Sequence, residues 1–192
     1  MPPIQVIDVD LDNLHLVPKE CLRAVFWELE DVDPAVDPAF HKEEWFSSTL
    51  LEWGRCGKLL LEKDEVRALA QYAPATLFAG LAKFPWVRIS SDAVFLPYCF
   101  VAERHRYRGL GTELVRTVAR DLVDRGYRAV ETVADRSWDG SWVLPHPFLS
   151  SCRFAVVRDH PRHPVMRLDL LVGGSVARER AEESVLVPAL QS

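Results

Sequence analysis

Residues 104–112 read RHRYRGLGT, with arginines at 104, 106 and 108 and glycines at 109 and 111. The apolar run AVFLPYCFVAE (93–103) precedes this stretch, and an amphipathic segment closing near Gly126 follows it. Glycine allows backbone with φ > 0 and leaves no side chain between the main chain and a ligand. The first turn of a helix presents unpaired N–H groups at the positive end of its dipole. Arginine adds charge that pairs with phosphate oxygens. A strand, then R-x-x-G-x-G, then a helix start thus describes an anion cradle of the kind that holds a phosphate. Two other phosphate loops do not fit: there is no G-x-x-x-x-G-K-[ST], and G-x-G-x-x-G fails because position 114 is Leu114.

Other reactive side chains are less organised. His160 and His163 lie three apart in the loop HPRHP, with no cysteine or carboxylate beside them to complete a ligand set, so no metal is expected. Cys21, Cys56, Cys99 and Cys152 are scattered, which argues against a disulfide framework and for a reducing, cytoplasmic setting. Trp138 and Trp142 suit either a pocket wall or the edge of the core. Trp27, Trp45 and Trp53 have the spacing of core residues.

The elements that must position these groups can be read from periodicity. IQVIDVDL (4–11) predicts a first strand, CLRAVFWELE (21–30) a short helix, and EDVDPAVDP (30–38) a loop. Over 38–54 the apolar residues Phe46, Leu50 and Trp53 recur at helical spacing before Gly54. Residues 58–74 predict a hairpin turning at Asp64-Glu65. The run 93–103 reads as a strand buried on both faces, with Pro97, which cannot donate a ladder bond, marking a bulge or a break. A helix over 111–125 carries Leu114, Val118 and Leu122 on one face. Strands follow at 128–135, 153–159 and 165–171, with a Trp- and Pro-rich loop at 136–148. This mixed order predicts an α/β or α+β sheet with helices packed on it.

At 192 residues, 48% hydrophobic and 27% charged, the chain is expected to form one globular domain over 1–171. The polar tail 172–192 is expected to be a short helix or disordered. A net charge of −5 disfavours nucleic acid or an anionic membrane as partner. The N-terminus lacks a secretory pattern, and no apolar run approaches the roughly 20 residues of a membrane span.

VAERHRYRGLGTELV resembles, in register, the cofactor motif of the GNAT superfamily of acyl-CoA-dependent N-acyltransferases. In that family a strand ending in Val leads to [QR]-x-x-G-x-[GA] at a helix start, here Val101 and then Arg106-Tyr107-Arg108-Gly109-Leu110-Gly111. Tyr107 and Arg108 replace the Gly and Gln of the commoner R-G-Q-G wording. CLRAVFWELE, LLEWGRCG and RDHPRHPVMRLDL also resemble an actinobacterial group of undefined substrate. The resemblance implies a mixed, mostly antiparallel central sheet of about seven strands flanked by helices. It also implies acetyl-CoA or another acyl-CoA as cosubstrate, held by Phe100, Val101, Arg106, Tyr107, Arg108, Gly109, Leu110, Gly111 and Thr112. Strands 93–103 and 128–135 would splay, with the pantetheine arm added along the backbone of Phe100 and Val101. Dimerisation is common in the family, although no exposed apolar stripe here demands it.

Attack by an amine with a reference pKa of about 10.4 needs a base. Glu103 and Glu131 are the carboxylates near the implied wedge, and Glu131, an acid within RAVETVAD, is the chosen candidate beside its plainer reading as a solvent-facing or ion-paired residue. The tyrosine that many members use to protonate the thiolate reads Leu149 here, within FLSSCRF. Ser150, Ser151, Cys152 and bulk water are the substitutes, and Ser151 is the candidate acid. The HPRHP loop would overhang the acceptor pocket. The implied activity is acyl transfer, chiefly acetyl, to a primary amine on a small molecule or a protein. Two further readings are transfer from the phosphopantetheine arm of an acyl carrier protein, and an inactive acyl-CoA sensor or interaction module.

Overall fold

The computed structural model describes residues 3–170, so the expected tail at 172–192 lies outside the described residues. The chain opens with β1 (Gln5–Asp8), a short α1 (Lys19–Leu22) and α2 (Pro38–Glu52). A hairpin of β2 (Gly57–Glu62) and β3 (Glu65–Ala73) follows, then β4 (Ala93–Val101), α3 (Leu110–Asp124) and β5 (Ala129–Asp135). The two-residue β6 (Leu144–Pro145) leads into α4 (His146–Ser151), and β7 (Ala155–Arg158) with β8 (Val165–Asp169) completes the order. The strands form one sheet in the order β1-β2-β3-β4-β5-β8-β7, with β6 beside β5. Pairing is antiparallel except for β4–β5 and β5–β6. The β4–β5 step is parallel because α3 carries the chain back across the sheet between them.

Both faces of the sheet are covered. One packs Trp27, Phe46, Phe78, Phe95 and Val133 into a core under α2. The other packs Leu60, Val94 and Val130 against Leu114, Val118 and Leu122 of α3, the stripe expected from the helical period. All seven residues of β5 are buried, as a central strand covered on both sides requires.

Sequence periodicity placed most elements, with local corrections. The helix expected over 21–30 is a single turn at Lys19–Leu22, after which the chain turns to bury Trp27. The hairpin reverses at Lys63-Asp64 rather than Asp64-Glu65, and both residues take positive φ (52° and 59°), the geometry of a tight two-residue turn. Asp37 caps α2 through Ala39 N–H at 3.1 Å, and Pro38 occupies its first position. Its buried stripe is Lys42, Trp45, Phe46 and Thr49, and it includes a lysine that only a buried partner can satisfy.

Pro97 is resolved by a bulge. Gln71 pairs with Tyr98 and Ala73 with Phe95, so two residues of β4, Leu96 and Pro97, oppose the single Tyr72. The extra residue reverses the alternation. Phe95 and Tyr98 therefore share one face, while Leu96 and Cys99 share the other.

A charged cluster locks β1, β2 and β3 to α3. Asp121 accepts from Tyr72 Oη (2.9 Å), Lys58 Nζ (3.2 Å) and Arg125 (3.3 Å), and Lys58 also binds Asp8. Burial alone would raise the Asp121 pKa, but the Tyr72 hydroxyl, Lys58 and Arg125 outweigh it and hold the carboxyl below its ordinary value of 3.8. A carboxyl depressed in the folded state stabilises the fold above the unfolded pKa and loses that contribution as pH falls through the folded one. Urea unfolding of Asp121→Asn should accordingly show a shallower acid loss between about pH 5 and pH 2 than the wild type.

Candidate active site

The sheet opens at its centre. β4 and β5 pair only at Ala93–Ala129, Val94–Val130 and Phe95–Glu131, and beyond Phe95 they part. Higher up, β6 takes the edge of β5 at Ala134 and Asp135. Ala102 N–H donates to Arg67 O at 2.9 Å, which fixes the alternation along β4. With Ala68 opposite Val101 and Leu69 opposite Phe100, the amides of Phe100 and Tyr98 face β3, and those of Cys99 and Val101 face the gap. The free backbone edge along the gap therefore belongs to Cys99 and Val101, while the Phe100 side chain packs against the core on the face that holds Phe95 and Tyr98. Arg106 Nε already donates to Val101 O at 3.2 Å.

This gap is one end of a cleft of about 790 Å³. Phe100, Val101, Arg106, Tyr107, Gly109, Leu110, Gly111 and Thr112 all line it, and Arg108 does not. Arg104 is turned away to an ion pair with Glu65. Trp138 and Trp142, left between pocket and core edge by the sequence, both line the cleft.

The loop before α3 has the geometry its sequence suggests. Tyr107 and Gly109 both take positive φ (61° and 80°), and a Cβ at Gly109 would meet nothing within 4 Å. Gly109 is thus bare backbone over open space, directly before the helix. The first bond of α3 runs from Glu113 N–H to Gly109 O (3.0 Å), leaving the preceding N–H groups directed ahead of the helix. Gly111 serves another purpose. A Cβ there would come within 3.0 Å of the Phe148 ring, so its smallness seats α4 against α3. Tyr107 is the costlier residue, since an aromatic side chain resists the left-handed conformation that glycine takes freely.

The two residues expected to move protons lie elsewhere. Glu131 is fully buried and is not part of the cleft lining. Its carboxylate accepts from Ser90 N–H (2.9 Å), Arg158 (3.2 Å) and Arg167 (3.0 Å). An acid in an apolar strand is here explained by arginines from β7 and β8, the ion-paired reading the sequence left open. Ser151 is exposed outside the cleft, and its hydroxyl donates to Phe148 O at 2.6 Å. Leu149 is in the core, and α4 presents Phe148 to the cleft instead. The HPRHP loop contributes nothing to the lining. His160 stacks on Trp86 (4.3 Å, 8°), and Arg136 donates to His160 O at 2.8 Å.

Periodicity could not show that Tyr98 and Cys99 line the cleft, because the bulge at Pro97 decides which way each points. The Tyr98 hydroxyl donates to Gln71 Oε1 (3.0 Å), and burial raises its pKa so that it keeps its proton. Burial likewise raises the Cys99 thiol, with Cys152 adding to the effect, so Cys99 is no thiolate nucleophile. The Cys152 thiol lies 3.8 Å from Thr112 Oγ1. Among the described residues no group of three or more potential ligands gathers for a metal, and no helix is long and apolar enough to cross a membrane.

Comparison with known proteins agrees with this geometry. The sequence model of the acetyltransferase (GNAT) family matches residues 22–139, from the end of α1 through the cradle and β5. No curated protein matches the chain. Among solved structures, an N-acetyltransferase from Staphylococcus aureus Mu50 superposes with a TM-score of 0.61 at 12% identity, over 88% of this chain and 99% of that one. yncA from Salmonella typhimurium, solved with its cofactor acetyl-CoA, gives 0.62 at 15% identity over 88% and 94%. The PaiA N-acetyltransferase from Thermoplasma acidophilum, in complex with coenzyme A, gives 0.56 at 8% identity over 87% and 99%. At these identities the structural likeness establishes the fold.

Proposed function

Since the chain belongs to the acetyltransferase (GNAT) family, we propose that it is an N-acyltransferase that moves an acyl group, acetyl foremost, from acyl-CoA to a primary amine by direct attack. The observation that carries this reading is the continuity of one cleft from the N-terminus of α3 to the unpaired edge of β4. The residues fit the donor along its length. The N–H groups around Gly109 and the Arg106 guanidinium would take the pyrophosphate. The amides of Cys99 and Val101 would pair with the pantetheine arm as an added strand. Phe100, Leu144 and Phe148 supply apolar walls that exclude water. Bound acyl-CoA would supply the thioester carbonyl, and an N–H on the β4 edge would polarise it.

In this reading Glu131 is a positioning residue that ties β5 to β7 and β8, and water carries the protons to and from the open cleft. The test is thiol release from acetyl-CoA against a panel of primary amines, with Glu131→Gln beside the wild type. Turnover by both, with the variant within about threefold in kcat but less stable by about 1–3 kcal/mol, supports both assignments. A loss of 10²-fold or more in kcat, on the order expected for a general base, would return Glu131 to the chemistry. Binding of acetyl-CoA without turnover on any amine favours the sensor, and turnover only from an acylated carrier protein favours that donor.

A further inference from the structure

The cleft passes through the sheet. Val101, Leu110 and Phe148 line it on the α3 side, whereas Tyr98, Trp142 and Val143 pack into the core on the other face. The cradle lies on the first side, so the second is the far end for a ligand that enters at Gly109. The turn joining β5 to β6 crosses that far end, and its residues Trp138, Gly140 and Ser141 line the cleft as well. Both ends of this strap are fixed. Ser137 N–H donates to Asp135 Oδ1 at 2.8 Å, and Trp142 O accepts from Trp27 Nε1 at 2.9 Å. Its middle is held more lightly. Gly140 reverses the chain with φ of 92°, and Trp138 Nε1 donates to Ser141 O at 3.3 Å, which leaves the Trp138 residue 43% exposed.

Among the described residues, the polar tie from this tip to the rest of the protein is Arg162. Its guanidinium donates to Asp139 Oδ2 at 3.3 Å and to Asp135 Oδ2 at 3.4 Å. Asp135 is fully buried at the end of β5, so its charge demands the partner and fixes where the guanidinium stands. The HPRHP loop delivers Arg162 to that point. His160 Nδ1 accepts from the amides of Arg162 (3.3 Å) and His163 (2.9 Å), which curls the loop, and Arg136 N–H donates to Arg162 O at 3.0 Å. The histidine that suggested a metal ligand thus shapes a turn, and the arginine behind it reaches the strap.

We propose that Trp138 bounds the acyl group of the donor, and that Arg162 is the positioning residue that holds it across the far end of the cleft. The inference rests on reading the cleft as an acyl-CoA site. An acetyl group is accommodated beneath the strap, and a longer acyl chain must lift it at the expense of the Arg162–Asp139 pair. That pair is exposed and weak, but it acts on a strap whose ends are already anchored.

The experiment titrates CoA, acetyl-CoA and hexanoyl-CoA into the protein by calorimetry. The wild type should bind hexanoyl-CoA about tenfold more weakly than acetyl-CoA. Trp138→Ala should erase the difference, while affinity for CoA itself, set at the cradle, stays within about twofold. Asp139→Asn, which leaves Asp135 paired, should cut the difference about threefold; Arg162→Gln should do the same, and the double variant should go no further. The change in tryptophan emission on binding acetyl-CoA should shrink in Trp138→Phe. Equal affinities for the two donors in the wild type, or a difference untouched by Trp138→Ala, overturns the proposal. A difference that Trp138→Ala erases and Asp139→Asn leaves whole overturns the role of Arg162. A parallel loss of CoA affinity in the strap variants overturns it too, since the strap would then support the cleft as a whole. Failure of the wild type to bind CoA at all defeats instead the acyl-CoA reading on which the proposal rests.

Discussion

Gly109→Glu should weaken acetyl-CoA binding about 100-fold in calorimetric titration, equivalent to nearly 3 kcal/mol, while the protein remains folded. Two effects combine at this position. The backbone has φ of 80°, which costs a non-glycine residue on the order of 1 kcal/mol, and the added carboxylate would stand where phosphate must approach the start of α3. A Cβ at Gly109 would meet nothing within 4 Å, so the substitution begins in open space and the loss should report on the ligand. Gly109→Ala separates the terms. It carries the strain without the charge, and its affinity should fall only about fivefold. Wild-type affinity in Gly109→Glu would move the phosphates off this loop altogether. Equal losses in both variants would assign the effect to backbone shape and leave the electrostatic argument without support.

The cradle could be read in advance because its parts are contiguous. A strand, a turn with positive φ and an amphipathic helix follow one another within 93–124, and each carries a local signature. Pro97 could be read only halfway. Proline excludes a ladder bond, but whether the outcome is a bulge or a break depends on which strands flank it. Here the bulge faces β3 and the break faces β5, so both expectations were partly right. The surroundings of Glu131 could be read only as alternatives, because its partners are distant in sequence. Glu131 meets Arg158 and Arg167, 27 and 36 residues further on, and without them an acid in a buried strand looks like chemistry. Tyr98 illustrates the same limit at short range. Strict alternation from Phe95 would send it to the other face, and one inserted residue brings it into the cleft.

Lys42 joins that distant order to Tyr98 in the cleft wall, and its removal should carry a large stability cost. It sits fully buried in the apolar stripe of α2, donating to Glu28 Oε1 (2.5 Å) and to Gln71 Oε1 (3.3 Å). Gln71 also donates to Glu28 and accepts from Tyr98. Glu28 Oε2 has no hydrogen-bond partner among the described residues. Lys42→Met would leave a buried carboxylate with Gln71 as its remaining donor, which costs about 3–5 kcal/mol out of the 5–15 typical of a whole domain. Adding Glu28→Gln removes the stranded charge, so the double variant should recover about 2 kcal/mol or more in urea unfolding. Simple loss of lysine packing predicts instead that the two changes add, because methionine nearly matches the volume of the lysine stem. The coupling also reaches function. Tyr98 is held through Gln71, so Lys42→Met, assayed where it is still folded, should raise the acceptor KM while leaving acetyl-CoA affinity within about twofold. A parallel loss of acetyl-CoA affinity would mean that the network supports the whole cleft and not only its wall at Tyr98.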